Sequence, residues 1–356
     1  MRARGVTLKH LGGDWLESRR LEVKESTLSN YRYFLDHYLL PELGRCRTDQ
    51  MTAERVVRWS REMEEKGLNP STINKALVLL RMMLKYAALR GDPVPLQGGV
   101  RVLKRKKKNI SILSEGEQQC LLQYLKDDAC PQRPGIRAGI LLSLCAGLRI
   151  GEVCALKWRN VDFRRGTITV EKTLSRIYTE PGAGDAAGRR ETAGRRTGKS
   201  AGRRTRIEIS DPKTENSRRE IPMAGFLREE LEKLKGSRYV SPETYVLTGA
   251  PWSMEPRNYT YHFRKAQQGA GISRCNYHML RHTFATKCIE AGFDMKALSE
   301  ILGHSDVSTT LKLYAHPTME MKMSYMERLG SVYGMQSGST YGMESGSTYE
   351  IKTGSA

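Results

Sequence analysis

The seven cysteines of this 356-residue chain, at 46, 120, 130, 145, 154, 275 and 288, never stand as C-x-x-C, and their number is odd. A disulfide framework is therefore not expected, and the thiols suit a reducing compartment as small buried apolar groups. Long apolar runs are missing too. The longest, Ala138 to Leu148, is about half of what a bilayer span needs, and no N-terminal stretch resembles a signal peptide. The expectation is a cytoplasmic protein with no membrane part. Acidic residues are scarce: 39 stand against 59 lysines and arginines, a formal net charge of +20.

That positive charge is clustered. Residues 101 to 108, RVLKRKKK, hold six basic side chains in eight positions, among them Lys104, Arg105, Lys106, Lys107 and Lys108. Residues 187 to 206 add eight more against the single acid Glu191. A polyanion is the natural partner, because each neutralised phosphate releases condensed counterions. Solvated basic loops would give the same composition, so charge supports nucleic-acid binding without proving it.

The chain is long enough for two domains. Ser26 and Thr52 are placed to cap helices, and Asn69 before Pro70 combines an N-cap with proline at the first helical position. Ile73, Ala76, Leu77, Leu80, Leu84 and Ala87 then line one helical face, which Gly91 and Pro93 end. Residues 1–93 thus read as a small helical bundle and 94–112 as a basic linker. Ser114 with Glu117 three residues on forms a capping-box pattern that opens a second domain, 113–330. This domain is expected to be mainly α with a small antiparallel sheet. Its strand signals are GTITVEKT (166–173), TRIEIS (205–210) and RREIPM (218–223), the last two forming a hairpin across DPKTENS. Two segments are expected to be disordered. One is 179–204, with AGRR at 187, 193 and 201; the other is the tail 331–356, where YGMQSGST is followed by YGMESGST.

The chemistry-bearing residues stand in three stretches. Arg149 lies in AGLRIGEVCALKW, His278 and Arg281 in HMLRHTFAT, and His304 and Tyr314 in LGHSDVSTTLKLYAH. Arginine forks bind non-bridging phosphate oxygens, histidine moves protons near neutral pH, and tyrosine supplies an oxygen nucleophile. Together they are the groups that break a phosphodiester without a metal. His278 and Arg281, three apart, share one face of a helix. Gly303 can end the helix before it and leave the His304 ring in the exit turn.

These stretches resemble the signature of the tyrosine recombinases, the phage-integrase family, over roughly residues 7 to 330. The resemblance implies an N-terminal core-binding bundle and a catalytic domain that clamp double-stranded DNA. It implies that Arg149, Arg281 and His304 hold the scissile phosphate, that His278 assists proton transfer, and that Tyr314 attacks. Lys213, in the DPKTENS turn before R-x-I-P, matches the family's leaving-group acid, and Glu152 fits a residue that orients a partner. Tyr314 alone of sixteen tyrosines has the family spacing after LGH and a trailing A-H. No cofactor, metal or ATP is implied. The implied assembly is a homotetramer on two synapsed duplexes, built from monomers, with 317–330 as the exchanged segment. Accessory DNA-bending or directionality proteins are compatible with it.

Other readings compete for the same residues. His278 and His282 fit H-x-x-x-H, but no glutamate follows His278 as in zinc proteases, so His282 is expected to be structural. AGRRTGKS (193–200) satisfies a relaxed P-loop pattern, yet lacks the preceding strand and following helix that phosphate binding needs. A type IB topoisomerase shares the tyrosine chemistry; LGHSDVSTTLKLYAH leans toward a recombinase. A non-catalytic DNA-binding regulator would not need all six site residues.

Overall fold

Short polar side chains set the helix starts of the first ninety residues. The computed structural model describes residues 5–96, 103, 111–127, 130–179, 205–211, 218–236, 241–273, 275–314 and 319–332. Its first helices are α1 (Leu8–Arg19), α2 (Glu25–Phe34), α3 (Leu40–Leu43), α4 (Ala53–Glu65) and α5 (Pro70–Leu89). Thr7, Thr52 and Asn69 cap α1, α4 and α5 by accepting a backbone N–H from the first turn. The expected cap at Ser26 is corrected: α2 starts two residues earlier, after the extended Lys24, with no side-chain cap and with Glu25 facing the helix dipole. Before Pro41, which has no N–H to give, the chain widens into a π turn over Leu35–Leu39.

These helices enclose one apolar cluster around Trp15, Leu39, Trp59, Leu77 and Leu80. The basic run is tied to this bundle at Leu103, whose N–H and C=O both bond the side-chain amide of Asn74 on α5, at 2.7 and 2.9 Å.

A second cluster is built on α6 (Glu115–Lys126), α7 (Pro134–Ala146) and α8 (Ile150–Ala155), with α9 (Gly225–Gly236), α10 (Pro256–Gly269) and α11 (His278–Glu290). The capping box at Ser114 and Glu117 forms as expected. The described chain then closes with α12 (Met295–Leu302), α13 (Val307–Tyr314) and α14 (Met319–Val332). Among the described residues no helix is long and apolar enough to cross a membrane.

The strands are β1 (Val161–Asp162), β2 (Thr167–Val170), β3 (Thr173–Tyr178), β4 (Thr205–Ser210) and β5 (Arg219–Pro222). Their pairing corrects the expected hairpin: β5 pairs with β2 in a sheet ordered β1-β2-β5, while β4 pairs with β3, both antiparallel. The reason is burial. Ile221 meets Ile168 and Arg219 meets Val170, so inward faces match, whereas β4 has no fully buried position and lies against the half-buried β3. The β3 strand was not among the sequence signals. It also carries the contact to the N-terminal bundle. Tyr178 N–H donates to Ser29 Oγ at 2.5 Å, its hydroxyl donates to Asp36 at 3.1 Å, and its ring packs on Tyr33 and His37.

Candidate active site

The site is assembled at one helix end. α7 stops at Gly147, whose φ of 69° is left-handed and whose missing Cβ leaves room for the Phe284 ring. Two residues on, Arg149 is the N-cap of α8. Its backbone N–H donates to Glu152 Oε2 at 2.9 Å and its Nη1 to Glu152 Oε1 at 2.8 Å. This fixes the guanidinium beside its own helix start, with Nη2 reaching Gly303 O at 3.2 Å.

Arg281 approaches from α11. Its side chain is buried, 2% exposed, with Nη1 on Gly147 O at 2.7 Å and Nη2 on Leu302 O at 2.5 Å. One turn earlier on α11, His278 is the most exposed of the group, and its ring meets His282 edge to face at 4.5 Å. Gly303, at φ 63°, ends α12 as expected, and His304 follows in the exit turn with Nδ1 2.8 Å from the hydroxyl of the buried Thr310. Where the hydroxyl donates to Nδ1, the ring proton sits on Nε2, the tautomer that can donate to a phosphate oxygen.

Charge is unbalanced here in favour of an anion. Burial pushes the Glu152 carboxyl up, but Arg219 and then Arg149 outweigh it and hold it down to about 2. Partial desolvation of the ring by its neighbours, although its edge stays exposed, lowers His278 to about 4, helped by His282, Arg281 and Arg149. His304 falls to about 4 through burial, then Arg281, Arg149 and Arg219. The centre therefore sets three guanidiniums against one carboxylate, with neutral imidazoles between them at pH 7.

This arrangement has a pH consequence. A phosphate lodged among the cations offsets their repulsion of a ring proton, so its binding raises both histidines above about 4. Binding then takes up protons, and affinity for DNA is expected to rise as pH falls from about 6.5 toward 4. Anisotropy titrations of the parent and a His278→Asn, His304→Asn double variant check it. Equal pH dependence in the two would remove the histidines from the phosphate site.

Arg149, His278, Arg281 and His304 are thus brought together as their motifs lead one to expect. Tyr314 is the last residue of α13, a helix packed against α11 and α12, but its side chain lies outside the described residues. Lys213 and the run Lys104, Arg105, Lys106, Lys107 and Lys108 also lie outside them, as do the P-loop-like segment and most of the expected insert. Two residues were missed. Thr310 lies within LGHSDVSTTLKLYAH with no signal of its own. Arg219 was visible as the arginine of R-x-I-P, where strand alternation puts it on the same inward face as Ile221.

Arginine forks and neutral imidazoles gathered at one helix end form an anion site of the kind a phosphodiester needs. The profile of the Phage integrase family matches residues 191–321, and that of the Phage integrase N-terminal SAM-like domain matches 15–91. The chain is 26% identical to a "Tyrosine recombinase XerC-like" protein of Caldanaerobacter subterraneus subsp. tengcongensis, over 92% of this chain and 84% of that protein. It is 24% identical to the "Transposase from transposon Tn916" of Enterococcus faecalis, over 88% of this chain and 75% of the relative. The fold matches a solved Tn1549 transposon integrase in complex with circular intermediate DNA. That match has a TM-score of 0.67 and 25% identity, and covers 91% of this chain and all of that one, 100%. The chain belongs to the phage integrase family of tyrosine recombinases.

Proposed function

We propose that the chain is a site-specific DNA recombinase of a mobile element, cutting and rejoining strands through a 3′-phosphotyrosine intermediate. The observation that carries this reading is the convergence of Arg149, Arg281, His278 and His304 on the end of α12. The Tyr314 oxygen attacks phosphorus and loses its proton, since a phenol with an ordinary pKa near 10 is a poor nucleophile when protonated. Arg149, Arg281 and His304 stabilise charge growing on the non-bridging oxygens. His278 assists the proton movement. The bond to the 5′ oxygen breaks, and Lys213 supplies its proton. The phosphotyrosine bond keeps the free energy of the broken one, so a second strand's 5′ hydroxyl reverses the step without ATP. Covalent capture of a nicked duplex carrying the flanking DNA of the element is expected to proceed in EDTA and without nucleotide. Capture that needs magnesium or ATP would contradict the mechanism.

In the same reading, residues 1–93 are the core-binding domain, 94–112 the linker, 113–330 the catalytic domain and 331–356 a tail. Double-stranded DNA lies between the first and third of these. Lys104–Lys108 cross its backbone, a placement supported by Leu103 being pinned to α5. Neutralising the run is expected to weaken binding to all sequences alike and to flatten the salt slope by about 0.9 per lost phosphate contact. An unchanged slope would take the linker out of the interface. Homotetramer formation on two duplexes is supported by α14. Met319, Met323, Met326 and Leu329 form an apolar stripe along it that is 41–66% exposed.

A further inference from the structure

Three successive carbonyls at the end of α12 each accept from a different arginine. Ile301 O takes Arg219 Nε at 2.5 Å, Leu302 O takes Arg281 Nη2 at 2.5 Å, and Gly303 O takes Arg149 Nη2 at 3.2 Å. Carbonyls at a helix C-terminus have no partner within the helix and carry the negative end of its dipole, so each is a strong acceptor for a cation. Two of the three arginines belong to the proposed phosphate site.

The third has a different place. Arg219 comes from β5, is 8% exposed, and gives both Nη groups to Glu152, at 3.1 Å to Oε1 and 2.9 Å to Oε2. Glu152 in turn receives the backbone N–H and Nη1 of Arg149. A chain of bonds therefore runs from the α12 end through Arg219 and Glu152 to Arg149, and returns through Arg149 to Gly303. Gly303 fits against the same guanidinium: a Cβ there would lie 2.9 Å from Arg219 Cδ. His304 is the next residue.

We infer that Arg219 is a positioning residue for DNA cleavage, holding Glu152 and the α12 end at one separation so that Arg149 and His304 face the same phosphate. The inference rests on the recombinase reading above. Its geometry calls for arginine. A planar fork satisfies both carboxylate oxygens and a backbone carbonyl at once, whereas an ammonium on a flexible stem cannot hold all three in that plane. A buried ion pair is by itself weak support for stability, so the pair's worth lies in what it aligns. Misplacing a phosphate clamp by about 1 Å costs on the order of 100-fold in rate.

The test uses the full chain and a nicked duplex carrying the target site recovered from the DNA flanking its gene. Thermal midpoint, DNA Kd and single-turnover cleavage are measured for Arg219→Lys, Glu152→Gln and the double variant. Arg219→Lys is expected to fold and bind DNA within about threefold of the parent while cleaving about 10- to 100-fold more slowly. The double variant should cleave little worse than the poorer single, since the pair acts as a unit. Cleavage by Arg219→Lys within about threefold of the parent would overturn the inference, as would a rate loss that merely follows lost DNA affinity. Losses that multiply in the double variant would overturn it too. Should Arg219→Lys not fold, Glu152→Gln decides: slower cleavage at unchanged affinity supports the inference, and a parental rate overturns it. Tyr314→Phe is run beside them. Covalent capture by that variant would move the nucleophile away from Tyr314, and a parent protein that captures no DNA would sink the recombinase reading itself. Parental cleavage by Arg219→Lys, with Tyr314→Phe inactive, would sink this inference alone.

Discussion

Replacing Tyr314 with phenylalanine is expected to leave DNA affinity unchanged and to abolish covalent capture of a nicked duplex. The substitution removes one oxygen and keeps the aromatic ring, so it is the smallest change that deletes the phenol. In the proposed mechanism this oxygen is the atom that becomes bonded to phosphorus, and a phenyl ring has no nucleophile to replace it. The effect is therefore a stop, distinct from the graded losses that follow removal of a stabilising group. An SDS-resistant protein–DNA band measures it directly. Tyr325, Tyr333, Tyr341 and Tyr349 stand nearby in sequence, and each as phenylalanine should capture DNA at the parental yield. Undiminished capture by Tyr314→Phe would move the nucleophile to another residue.

Arg281→Ala is expected to give the second largest effect, and it acts on two quantities. Truncation leaves Gly147 O and Leu302 O without the donors they now have. An unsatisfied buried acceptor costs about 1–3 kcal/mol, so urea melts should show a clear loss of stability. In the proposed mechanism it also removes one preorganised donor for the phosphate, a loss worth about 100- to 1000-fold in rate at comparable oxyanion sites. Arg281→Lys keeps the charge without the fork and should fall between the alanine variant and the parent in both measurements. Parental stability in Arg281→Ala would show that the buried guanidinium does not hold the two carbonyls. Parental cleavage would remove it from the phosphate site.

Legibility in the sequence followed the range of the interaction. Caps at Thr52, Asn69 and Ser114 were readable because a side chain and the N–H it satisfies lie two or three residues apart. The left-handed end at Gly303 was readable for the same reason, since only the local backbone decides it. Arg149, His278, Arg281 and His304 were legible as candidates because each stands in a short local motif. Strand pairing was not readable. β4 sits 27 residues after β3 and beside a turn-rich segment that fits a β4–β5 hairpin, yet inward faces across β2 and β5 won. Arg219 was hidden likewise. Its partners lie 67 and 82 residues away, and its role exists only once β5, α8 and the α12 end are packed together.

The most direct measurement is a structure of the Tyr314→Phe protein on a duplex carrying its target site. Arg149, Arg281 and His304 are expected to donate to the non-bridging oxygens of a single phosphate at about 2.7–3.2 Å, with the aromatic ring at position 314 in line with the 5′ oxygen. If those three side chains instead contacted different phosphates, or none, the convergence at the end of α12 would have no catalytic meaning.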